Sequence, residues 1–205
     1  MKTSHLFPIS FLILFLSSPP SLLISTAEQP DPVVDITGNQ LRTGISYYIL
    51  PVFRGRGGGV TLGRGLSNDT CPLDVVQDQY ELNPGLPLKF TPVNPKKGVI
   101  RVSTDLNIRF DAATTCVQST VWRILESSPG QYVISSNGVE GNPGIQTISN
   151  WFKIEKDDKD YKLLYCPTVC NYCKVICRDV GIFIKDGVRR LALSDVPFKI
   201  MFKKA

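Results

Sequence analysis

Short runs rich in Val, Ile, Tyr and Phe recur along the chain, separated by clusters of Gly, Pro, Asn and Asp. They fall at 46–53, 86–90, 99–103, 106–110, 120–125, 131–135, 151–155, 161–166, 181–185, 189–193 and 198–202. No long segment places apolar residues at i, i+3, i+4 and i+7, so amphipathic helices are not expected. Runs of this length and composition between turn formers read as β-strands. Asp186-Gly187, between two of them, suits a tight hairpin turn, whose two central positions need positive φ. Many short strands at near-regular spacing predict an all-β sandwich or barrel. The runs group into three hairpin-rich thirds of about 60 residues, with aromatic-aliphatic strands such as Tyr47-Tyr48-Ile49-Leu50 and Trp151-Phe152-Lys153-Ile154. That grouping fits a β-trefoil and a jelly roll equally. No linker divides it, so one domain over 28–205 is expected.

The first 27 residues follow another pattern. Lys2, an apolar run over 11–16 and Ser25-Thr26-Ala27 are the basic start, hydrophobic segment and small-residue cleavage site of a secretory signal peptide. The run is too short, and too broken by Pro19 and Pro20, to span a bilayer. Cleavage after Ala27 would leave 178 of the 205 residues, starting at Glu28. The expected product is secreted to the extracellular space, or to the vacuole by the same route, as a monomer with no membrane partner.

Losing the leader changes the chemistry available. Lys2 is one of 23 basic side chains, so 22 remain against 18 acidic ones. The charges are interspersed, whereas nucleic-acid binding concentrates them on one face, and no nucleic-acid partner is expected. The single histidine, His5, leaves too. A chain without histidine has no Ser-His-Asp triad, Cys-His dyad or His-ligated metal. An enzyme is not expected, nor a cofactor or metal.

All six cysteines remain, at 71, 116, 166, 170, 173 and 177. An even count in a secreted chain reads as three disulfides, chosen from 15 pairings. The last four form a C-x3-C-x2-C-x3-C palindrome. A four-cysteine zinc site separates its two pairs by a longer loop, and the oxidising secretory route favours disulfides.

Other motifs have plain readings. Arg54-Gly55-Arg56-Gly57-Gly58-Gly59 lacks both the Gly-Lys-Ser/Thr of a phosphate loop and the last glycine of G-x-G-x-x-G, so it reads as a mobile turn. Asn68-Asp69-Thr70 is an N-glycosylation acceptor in a polar loop. Arg189-Arg190 and Lys203-Lys204 read as a solvated face. Over 91–99, Pro92 and Pro95 fix φ and cannot donate to a ladder, so the segment should leave the sheet as an extended loop with Lys96 and Lys97 at its far end. It reads either as a charged turn that keeps a loop soluble or as a stiff loop that offers a basic residue to a trypsin-like pocket, with ordering cost removed beforehand.

Val33-Val34-Asp35-Ile36-Thr37-Gly38-Asn39-Gln40-Leu41, followed by Tyr47-Tyr48-Ile49, resembles the N-terminal signature of the soybean-type Kunitz inhibitor family. Cys71-Pro72-Leu73, Val75-Val76-Gln77, Trp151-Phe152-Lys153-Ile154, Tyr161-Lys162-Leu163 and Arg189-Arg190-Leu191 extend the resemblance over nearly all of 28–205. The palindromic cysteine block, Gly141-Asn142-Pro143-Gly144 and Leu191-Ala192-Leu193-Ser194-Asp195 are similar to the miraculin-like plant branch. The resemblance implies a disulfide-stapled β-trefoil of twelve strands in three pseudo-repeats, with Cys71–Cys116, Cys166–Cys177 and Cys170–Cys173 paired. It implies a secreted, defence- or stress-associated inhibitor that docks a loop in a serine endopeptidase, trypsin-like for preference, as a substrate would. The alternative on the same scaffold is a non-inhibitory protein that binds a receptor, a carbohydrate or another protein. The inhibitory loop would lie between the first two cysteines, with Pro95, Lys96, Lys97, Gly98, Val99 and Ile100 as candidates. Anchoring on Ile100-Arg101-Val102 puts Val99 at the primary position; shifting by two puts Lys97 there, ahead of Lys96. Thr43 occupies the place of an asparagine that supports the loop in the family.

Overall fold

The computed structural model describes residues 29–66, 70–116 and 118–205. The expected signal peptide with its cleavage site, and the expected acceptor Asn68, lie outside the described residues. Twelve strands are present among those described: β1 (Tyr47–Pro51), β2 (Val60–Gly63), β3 (Asp74–Gln77), β4 (Leu88–Pro92), β5 (Leu106–Phe110), β6 (Arg123–Ser128), β7 (Gln131–Ser135), β8 (Lys153–Asp157), β9 (Asp160–Tyr165), β10 (Arg178–Lys185), β11 (Val188–Ser194) and β12 (Ile200–Lys204). Two short 3-10 turns, Pro95–Lys97 and Ile145–Asn150, interrupt the loops.

Six strands close a barrel. β1 pairs with β4 and β12, β4 with β5, β8 with β9, and β9 with β12, while a bridge from Leu106 to Phe152 joins β5 to the strand entering β8. The other six form the hairpins β2–β3, β6–β7 and β10–β11. Their inner strands meet in a ring: Asp74 opposite Ser135, Val133 opposite Ala192, and Gln77 opposite Arg189. A six-stranded barrel capped by three hairpins is a β-trefoil, and each third of the chain supplies four strands.

Alternation within each barrel strand sends one face inward. In β4, Leu88, Phe90 and Pro92 are buried and the two residues between them are not. The inward aromatics lock edge to face: Phe90 meets Phe202 at 5.6 Å and Trp122 meets Phe152 at 6.1 Å between centroids. Full burial of each Phe contributes roughly 1.5–3 kcal/mol. At the β10–β11 turn, Asp186 and Gly187 have φ of 53° and 73°, the two positive values a tight hairpin requires. The six cysteines are bonded as Cys71–Cys116, Cys166–Cys177 and Cys170–Cys173.

Outside the loop after β4, four expectations differ from the structure. β2 and β3 were not expected. All four residues of β3 are buried, because the hairpin ring covers both its faces, and no alternation remains to be read. Segment 99–103, expected as a strand, makes only single bridges, Val99 to Arg42 and Arg101 to Pro32. The glycine run is a mobile turn only in expectation: a Cβ on Gly58 or Gly59 would lie 2.2 Å from Tyr80 O or 2.0 Å from Pro84 O. Gly58 and Gly59 donate to Asp78 and Asn83 at 2.8 Å, so the run is packed against the 78–84 loop. Arg190 is not on a solvated face. It is 4% exposed and its Nε donates to Asp74 Oδ2 at 3.1 Å, because the ring brings β11 against β3.

Candidate functional site

β4 and β5 separate after their last pair, Pro92 opposite Leu106, and the chain between them forms a loop at the open end of the barrel. Its base is closed by Val93 N–H donating to Asp105 O at 2.8 Å. The Asp105 carboxylate, nearly buried, accepts from Thr168 N–H at 3.0 Å and from the Thr168 hydroxyl. The loop is thereby tied to the block bounded by Cys166 and Cys177.

Beyond Val93 the chain coils. Lys97 N–H donates to Asn94 O at 3.3 Å and Gly98 N–H to Pro95 O at 3.2 Å. This corrects the expectation of an extended loop: the fixed φ of Pro95 suits the start of a turn, and Gly98, at φ 68°, ends it in the left-handed region. Pro95, Lys96 and Lys97 are exposed, and neither lysine side chain makes a hydrogen bond or ion pair among the described residues.

The second limb is extended and strapped. Residues 30–43 run along it. Thr43 N–H donates to Gly98 O at 3.1 Å, Ile100 N–H to Leu41 O at 2.9 Å, Val33 N–H to Ile100 O at 2.9 Å and Val102 N–H to Asp31 O at 3.0 Å. Arg101 Nη1 reaches Pro30 O at 2.8 Å. Ile100 is fully buried and Val99 half-buried, so Val99 is held extended between a buried neighbour and the left-handed Gly98. Thr43 is bonded to the loop through its main chain; its hydroxyl is buried with no hydrogen-bond partner among the described residues.

The strap is itself braced. Asp35 accepts from Thr37 N–H at 2.9 Å, Asn39 N–H at 3.0 Å and the Thr37 hydroxyl at 2.6 Å. Burial pushes this carboxyl up, but the hydrogen bonds from Thr37 and Asn39 outweigh it and hold the pKa below the ordinary range. The hydroxyls of Tyr47 and Tyr161 accept from Arg42 and Val34 N–H, each at 3.0 Å. Lys156 lies 2.6 Å from Asp31; its hydrogen bond and charge lower that carboxyl.

Asp105, Leu41 and Arg42 thus take part in holding the loop, and nothing in their spacing singled them out. A protease reads an extended segment by main-chain pairing, and a segment already held in that form loses little entropy on docking. The second limb meets that requirement; the lysine turn would have to uncoil.

Residues 33–204 match the Kunitz-legume family model, described as trypsin and protease inhibitor. The chain is 54% identical to Kunitz trypsin inhibitor 5 of Arabidopsis thaliana, covering 89% of this chain and 90% of that protein. It is 50% identical to miraculin of Synsepalum dulcificum, covering 100% of this chain and 98% of that one. Among solved structures it is similar to a Kunitz-type cysteine protease inhibitor from potato, with a TM-score of 0.75 and 33% identity over 86% of this chain and 98% of that chain. The barrel, the hairpin cap and these matches agree: the chain belongs to the soybean-type Kunitz inhibitor family.

Proposed function

We propose that this protein inhibits serine endopeptidases by docking residues 93–100 in the protease cleft as a substrate would. The observation that carries the reading is the strap, which holds Val99 extended before any partner arrives. Val99 is the residue that enters the primary pocket, and Lys96 and Lys97 touch the enzyme beside it. A trypsin pocket ends in a carboxylate, which an aliphatic residue leaves unpaired. Leaving a buried charge unpaired costs about 2–5 kcal/mol, or roughly 30- to several-thousand-fold in affinity. Trypsin is therefore a weak target, and a protease with a small apolar pocket, elastase-like, is a better one.

Cleavage after Ala27, export to the extracellular space or vacuole, glycan attachment at Asn68 and a monomeric state belong to the same reading. The even cysteine count, with all six paired in disulfides, supports it. A second reading, a non-inhibitory binding protein, is favoured by the full-length similarity to miraculin, since one scaffold hosts many roles. Titrating elastase and trypsin with purified protein separates the two. The inhibitor reading expects saturable one-to-one loss of elastase activity at lower concentration than for trypsin. Loss of neither activity would overturn it in favour of the second.

A further inference from the structure

At the capped end of the barrel, away from the loop, lies a cavity of about 250 Å³. β1 runs antiparallel to β4, so Pro51, which ends β1 and borders the cavity, lies at the opposite end from the turn that follows β4. Phe53, Ile182, Val196 and Phe198 supply apolar walls, and Phe53 and Val196 remain 57% and 73% exposed. Two arginines complete the lining, Arg56 and Arg189, and no Asp or Glu lines it.

The charges are placed and uncompensated. Arg189 Nε donates to Gln77 Oε1 at 2.9 Å, and Gln77, 3% exposed, is fixed in turn by its Nε2 donating to Gly58 O at 3.1 Å. Neither arginine has a carboxylate partner among the described residues, and the terminal nitrogens of Arg189 make no hydrogen bond there. Lys199, also at the rim, differs: Asp157 and Asp158 hold it at 3.3 and 2.9 Å. Gly57 belongs to the same construction, since a Cβ there would come within 3.1 Å of the Gln77 amide. The Arg-Gly-Arg-Gly-Gly-Gly run, which cradles no phosphate, thus brings a guanidinium beside an apolar cavity and anchors the glutamine that orients a second.

We propose that this cavity binds a small aryl carboxylate, with the ring against Phe53, Ile182, Val196 and Phe198 and the carboxylate between Arg56 and Arg189. Guanidinium groups offer paired N–H donors that match a carboxylate. A cavity of about 150 Å³ accommodates benzene, so this one has room for a ring and a short acidic arm. The site is separate from the inhibitory loop.

The test is a titration of the purified protein with 3-phenylpropionate, 3-phenylpropan-1-ol and propionate, followed by amide NMR shifts. The expected result is saturable shifts at Ile182, Val196 and Phe198 with the aryl acid. The neutral alcohol and the ringless acid should each bind at least about tenfold more weakly, the scale of one hydrogen bond to a charged group. Arg56→Gln, on an exposed turn, and Arg189→Gln should each weaken the aryl acid about tenfold and leave protease inhibition unchanged. Equal binding of alcohol and acid, undiminished binding by the variant carrying both Arg56→Gln and Arg189→Gln, or no saturable shift at those three amides would overturn the proposal. Should Arg189→Gln unfold, Arg56→Gln alone decides it.

Discussion

At the capped end of the barrel, Arg190 engages all three guanidinium nitrogens inside the protein, while at the open end the side chains of Lys96 and Lys97 make no hydrogen bond among the described residues. Arg190 binds Asp74 at 3.1 Å, Lys185 O at 3.0 Å and Arg64 O at 3.3 Å, and Asp74 also accepts from Leu66 N–H at 2.9 Å. Polar groups there are spent on joining β11 to β3. At the open end the main chain is satisfied by the strap and the side chains of the turn are left outward. One end of the molecule holds the ring of hairpins together; the other holds a backbone shape for a partner. Substitutions at the cap should therefore move stability and leave inhibition unchanged, and substitutions at Val99 should do the reverse.

The sharpest way to break this division is at the ion pair. Removing one partner of a buried pair costs about 3–5 kcal/mol. Arg190→Met should lower the unfolding free energy by that amount and leave inhibition by the folded fraction unchanged. Arg190→Met with Asp74→Leu should recover most of the loss, because no stranded charge remains. A loss of inhibition matching the loss of stability would show that the two ends are not separate.

The disulfides should grade by the loops they close. Chain entropy gives about 4 kcal/mol for the 45-residue separation of Cys71–Cys116, about 3 for the 11 of Cys166–Cys177 and at most about 2 for the 3 of Cys170–Cys173. Serine pairs at each position, melted in denaturant, check that order. The smallest ring should also open first under graded reduction, read by alkylation and mass spectrometry.

Thr43 offers a smaller effect with an unusual sign. Its hydroxyl is buried without a partner among the described residues, and an unmatched polar atom costs more than the methyl that would replace it. Thr43→Val keeps the shape and the main-chain bond to Gly98, so it should gain about 1 kcal/mol. A loss of that size would mean that the hydroxyl finds a partner in solution.

The smallest effect is the response to acid. Lys156 lowers Asp31, Lys89 and Ser46 lower Asp111, and Lys199 lowers Asp158. A carboxylate whose folded pKa lies below its unfolded value contributes stability that is present above about pH 4 and lost as pH falls through the folded value. Burial raises Asp74 against the pull of Arg190, so its contribution runs the other way and declines as pH rises from its unfolded value to its folded one. Acid below about pH 4 should thus loosen the strap before the cap. Hydrogen-exchange protection at Val102 should fall ahead of that in β11; the reverse order would contradict the assignment of Asp31 to the strap.

Much of the fold could be read in the chain, and the exceptions share a cause. The hairpin at Asp186-Gly187 and the three thirds depend on local turn chemistry and spacing, which sequence displays. β3 and Arg190 depend on contacts across more than a hundred residues, such as Arg190 with Asp74. Asp-Val-Val-Gln shows no alternation to mark it as a strand, and Arg-Arg reads as surface until the ring of hairpins encloses it. At the loop, the stretch from Val99 to Ser103 has the alternation of a strand, but its partners are single residues of a strap about 60 positions earlier. The lysines drew attention by charge, while the geometry that favours Val99 comes from Gly98 and Thr43, which carry none.

The central claim is that the strapped limb, not the lysine turn, fills the primary pocket of the protease. Inhibition constants of wild type, Lys97→Ala and Val99→Arg against trypsin test it directly. Val99→Arg should tighten trypsin binding by roughly 30-fold or more, the scale of pairing the pocket carboxylate, and Lys97→Ala should change it by less than about threefold, as expected for an exposed charge beside the contact. If Lys97→Ala abolishes trypsin inhibition and Val99→Arg leaves it as it was, the lysine turn is the segment that enters the enzyme.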